Sequence, residues 1–68
     1  NNYLTAFSGN YLLAAANVYH STVDSAKLYM MSTAKDEIRW RLYFSDSQID
    51  AIGWSEKNAY AVAYYSSG

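Results

Sequence analysis

The stretch Ile38–Phe44, IRWRLYF, constrains the fold more than any other part of this chain. Ile38, Trp40, Leu42 and Phe44 are apolar, and Arg39, Arg41 and Tyr43 fall between them. Strict alternation with aromatic and branched side chains reads as a half-buried β-strand. Successive side chains on a strand point to opposite faces. Trp40 is therefore expected to anchor the core, and Arg39, Arg41 and Tyr43 to form the opposite face.

Around this strand the sequence predicts an α+β domain. Leu12, Ala16, Tyr19, Val23, Ala26 and Met30 are spaced 4-3-4-3-4, one stripe along a helix. Asn10 is placed to cap it, and Ala, Leu and Met favour helix. Residues 11–34 are thus read as helical, with a break near residue 21, where Ser21 and Asp24 have capping-box spacing. A strand over residues 26–33 is the competing reading, since Ala26, Leu28 and Met30 also alternate. Residues 3–7 form an apolar run too short to assign.

Beyond the organising strand, Ser45-Asp46-Ser47 reads as a turn. Gln48–Trp54 is a second strand with imperfect alternation: Ile49 belongs to one face, Ile52 and Trp54 to the other, and Gly53 suggests a bulge. Ser55–Asn58 is a four-residue hairpin loop, and Ala59–Tyr65 a third strand. Short connections favour antiparallel neighbours. The expected architecture is an N-terminal helix packed on a small antiparallel meander of three strands, in one domain spanning residues 1–68.

Composition narrows what such a domain does. The chain has 68 residues, no cysteine and one histidine, so neither a disulfide framework nor structural zinc is expected. It is 51% hydrophobic and 18% aromatic, which excludes a disordered tail. The net charge of −1 does not call for nucleic acid or an anionic membrane. The chain begins at Asn1 with no basic-then-apolar leader in view, which reads as a chain already trimmed and is compatible with secretion. All charged residues lie between Asp24 and Lys57, so both ends are expected to be buried against each other or against a partner.

Candidate chemistry is sparse. His20 and Asp24 would share one helix face, without a third ligand or a nucleophile at a telling spacing. Asp46, Gln48 and Asp50 resemble the start of a calcium loop, but Ala51 and Lys57 occupy its glycine and bidentate-carboxylate positions. No nucleophile elbow, phosphate loop, zinc-protease motif or redox motif is present. No catalytic, cofactor-binding or metal-binding residue is assigned.

The partner-binding candidates are Arg39, Arg41, Tyr43, Ala61, Ala63 and Tyr65, expected on one sheet face. The segment AYAVAYYSS is uncharged and rich in β-formers, the composition of strands that pair edge to edge. The sequence thus points to a non-enzymatic, extracellular module that binds a protein or itself. The alternative is a secreted toxin or antimicrobial that meets membranes through uncharged residues 3–23.

Overall fold

A computed structural model describes residues 2–19 and 24–65. These residues form six strands: β1 Asn2–Ser8, β2 Tyr11–Tyr19, β3 Asp24–Ser32, β4 Glu37–Ser45, β5 Ser47–Ser55 and β6 Asn58–Tyr65. The strands β1-β2-β3-β4 make one sheet in sequence order, and β5-β6 make a second. Every pairing is antiparallel.

The architecture is all-β, and the α+β expectation is wrong. The predicted helix over residues 11–34 is β2 and β3, and no helix occurs among the described residues. The competing strand reading of residues 26–33 is the one the structure adopts. The physical reason lies in β2, which pairs with β1 on one side and β3 on the other. Leu13 and Ala15 face the second sheet, while Leu12, Ala14, Ala16 and Val18 face outward. A central strand apolar on both faces shows no alternation, and almost any spacing can be found in such a run. Pairing on both sides overrides the helix preference of alanine. Asn10 does not cap a helix; it forms a two-residue hairpin loop with Gly9, whose φ is 58°. The expected break near residue 21 lies outside the described residues.

The chain passes between sheets at one residue. Asp46, with φ 54°, separates β4 from β5, and the Ser47 hydroxyl donates to the Ser45 carbonyl at 3.0 Å. The expected three-strand meander is therefore divided, with β4 in one layer and β5 and β6 in the other.

Two bulges set which side chains meet. In β5, Ile49 pairs with Ala63 and Ala51 with Val62, leaving Asp50 as the extra residue. A bulge inserts one residue and resets alternation. It brings Ile49, Ile52 and Trp54 to one face, opposite Ala63, Ala61 and Ala59. The bulge is thus at Asp50 and not at Gly53, which instead makes room for the Tyr60 ring paired across from it. In β4, Trp40 pairs with Met30 and Ile38 with Met31, so Arg39 is the extra residue and Ile38 turns to the outer face.

The core is small. Leu13, Ala15, Ala26, Leu28 and Ile49 are buried, with Leu4, Phe44, Ile52, Trp54 and Ala59 packed around them. Because β5 lies against β1, β2 and β3, the inward face of β4 is largely uncovered. Trp40 is 37% exposed and Leu42 51%, so Trp40 is not the core anchor its position suggested. The ends of the chain are not buried against each other: Leu13, Ala14, Ala15 and Asn17 of β2 are buried, but Tyr3, Phe7, Tyr11, Tyr60 and Val62 are exposed.

Candidate functional site

Two surfaces follow from this layout. The first is the outer face of the four-stranded sheet. Cross-strand pairing builds a row across it, Tyr3–Ala16–Lys27–Tyr43, and a neighbouring row, Thr5–Ala14–Tyr29–Arg41. Ala16 on β2 forms a low floor, and larger side chains on β1, β3 and β4 stand around it. The result is a trough of 510 Å³ that Val18 and Ile38 also line. Tyr3 and Tyr43 stand open to solvent on its two sides.

The charges on this face are of one sign. Lys27 and Arg41 lie in the trough. Among the residues whose side chains are described, no acidic one takes an outward position on β1 to β4: Asp36 is in a turn, and Glu37 pairs with Ser32 on the inward side. The chain is acidic overall, yet among the described side chains this face presents cations among tyrosines. Rings with polar tips and cations without counter-charges suit planar and anionic groups.

The second surface is the outer edge of β6, which among the described residues pairs with no strand but β5. Ala61, Val62 and Ala63 are exposed, so side chains on both faces of this strand meet solvent. Residues Asn58–Tyr65 carry no charge, and the bulge of this sheet falls on β5.

The sequence-predicted residues divide between these surfaces. Arg41 and Tyr43 lie in the trough as expected of an Arg/Tyr face. Arg39 is the bulged residue of β4 and forms an exposed ion pair with Glu37 at 3.3 Å. Ala61 and Ala63 are on the other sheet, as is Tyr65, whose backbone pairs with Ser47. The expectation that all six share a face fails because β4 and β6 belong to different layers. Tyr3, Lys27 and Tyr29 complete the trough and were missed. The alternation Lys27, Tyr29 against Leu28, Met30 carries that signal once residues 26–33 are read as a strand. His20 and Ser21 lie outside the described residues.

A second hollow, of 520 Å³, lies where three turns converge, lined by Gly9, Asn10, Lys35, Trp54, Glu56 and Lys57 among others. Its charges are mixed and give no directional preference. Comparison with protein-family models, with curated proteins and with solved structures finds no match for the chain.

Proposed function

We propose that this chain is a non-enzymatic interaction module that associates strand to strand through β6. The observation that supports this is how the four sheet edges differ. Unpaired edges invite another chain, and proteins blunt them with charge, bulges or covering groups. The β4 edge has the Arg39 bulge and carries Glu37, Arg39 and Arg41. On β5 the bulge leaves Asp50 exposed, and both backbone groups of Ile49 are engaged by the Asn17 side chain. At β1 the Ala6 carbonyl accepts from the Trp54 indole at 3.1 Å. Only β6 has none of these devices among the described residues.

Strand addition draws affinity from backbone hydrogen bonds and selectivity from the alternate side chains. The trough with Arg41 and Tyr43 is a second contact surface on the opposite layer. Sedimentation over a concentration series tests the reading. The unmodified chain is expected to sediment above monomer mass at high concentration. Val62→Lys, which places a charge on the exposed edge, should remain monomeric. Thr5→Lys on the β1 edge serves as the control and should associate normally. A chain that stays monomeric throughout would remove the proposal.

A further inference from the structure

We infer that the partner of β6 is β6 of a second copy, running antiparallel about a two-fold axis at Val62. This rests on the strand-addition reading above and specifies its partner and register. The central residues of the strand, Tyr60-Ala61-Val62-Ala63-Tyr64, read the same in both directions. Antiparallel pairing centred on Val62 therefore sets Val62 against the partner's Val62. Ala61 then meets the partner's Ala63, and Tyr60 meets the partner's Tyr64. Like stands opposite like along the whole segment.

Face and layer agree with this register. Ala61 and Ala63 share the face that turns toward the larger sheet, while Val62 and Tyr60 share the outer one. A slip of one residue would set alanine against tyrosine and reverse the faces. Two-stranded sheets are marginal alone. The two-fold joins β5-β6 to its copy as a four-stranded layer, equal in number to β1-β2-β3-β4. An isologous contact of this kind closes at two copies, whereas β6 adding to β1 of another copy would build larger rings or open filaments.

The chain lacks cysteine, so single-cysteine variants report the register directly. Residues directly opposite in an antiparallel pair have Cα atoms about 4.5–5.5 Å apart, within disulfide reach. Diagonal neighbours lie about 7–8 Å apart, beyond it. Val62 is 53% exposed, and its replacement should leave the fold intact. Under mild oxidation Val62→Cys should cross-link to a dimer at least tenfold faster than Ala61→Cys or Ala63→Cys alone. An equal mixture of the latter two should cross-link readily to a mixed dimer. If Ala61→Cys alone reacts fastest while Val62→Lys still abolishes association, the two-fold is misplaced but strand addition survives. Species larger than dimers would overturn closure. A monomeric unmodified chain would remove both readings.

Discussion

One side chain joins the two layers. Asn17 is 2% exposed toward the end of an apolar strand. Its Nδ2 donates to the Ile49 carbonyl at 2.7 Å, and its Oδ1 accepts from the Ile49 N–H at 2.8 Å. A third bond runs from Nδ2 to Asn2 Oδ1 at 2.7 Å. A carboxamide presents the same donor and acceptor as a peptide group, so Asn17 acts on β5 as a neighbouring strand would. Small Ala15 and Ala26 belong to the same buried cluster and let the layers approach. Asn17→Ala would leave two backbone groups of Ile49 buried without partners, each costing about 1–3 kcal/mol. We expect a loss of about 3 kcal/mol in urea melts, and a loss below about 1 kcal/mol would show that water replaces the clasp. In the sequence this residue reads as a polar interruption, because its partner lies thirty-two positions away.

At the scale of elements, β2 and β4 exchange the roles their sequences suggest. The alternation of IRWRLYF correctly identifies a strand, since a strand at the side of a sheet keeps one polar face. It does not say which face the second layer covers, and β5 lies mainly against β1, β2 and β3. Burial falls instead on Leu13, which is 0% exposed. Leu13→Ala should therefore cost about 2–5 kcal/mol. Trp40→Ala should cost only about 1–2 kcal/mol, because much of the ring is already in water. Arg39→Ala loses an exposed ion pair and should cost under about 0.5 kcal/mol. Thermal or urea melts that rank Trp40→Ala as the worst of the three would contradict the layer arrangement. The strands β4, β5 and β6 were thus legible from local pattern, as was the Arg41/Tyr43 half of the trough. The strand β2 was not, because the pattern of a doubly paired apolar strand overlaps that of a buried helix, and β3 was legible only as the competing reading of residues 26–33. The bulge at Asp50 was half legible: Ile49 falls out of phase with Ile52 and Trp54, and the extra residue had to lie between them.

The whole molecule is open for its size. It measures 38 × 22 × 16 Å, with a radius of gyration of 12.4 Å, where a compact domain of this length has about 11 Å. Its accessible surface is 4780 Å², against about 4,300 Å² for a compact monomer of this mass. The excess fits a sandwich whose second layer has half the strands of the first. Among the described residues the core cluster is small, which leaves a small margin of stability. Association through β6 should then be a visible part of that stability, because a partner that binds only the folded chain shifts unfolding by mass action. Raising the concentration from near the dissociation constant to a hundredfold above it should add about 2–3 kcal/mol. The urea midpoint of the unmodified chain is therefore expected to climb with protein concentration. Val62→Lys should show one midpoint at every concentration, equal to that of the unmodified chain at its most dilute. Midpoints that climb equally in both chains would place the contact elsewhere on the surface, and the uncovered Trp40 and Leu42 of β4 would be the next place to look.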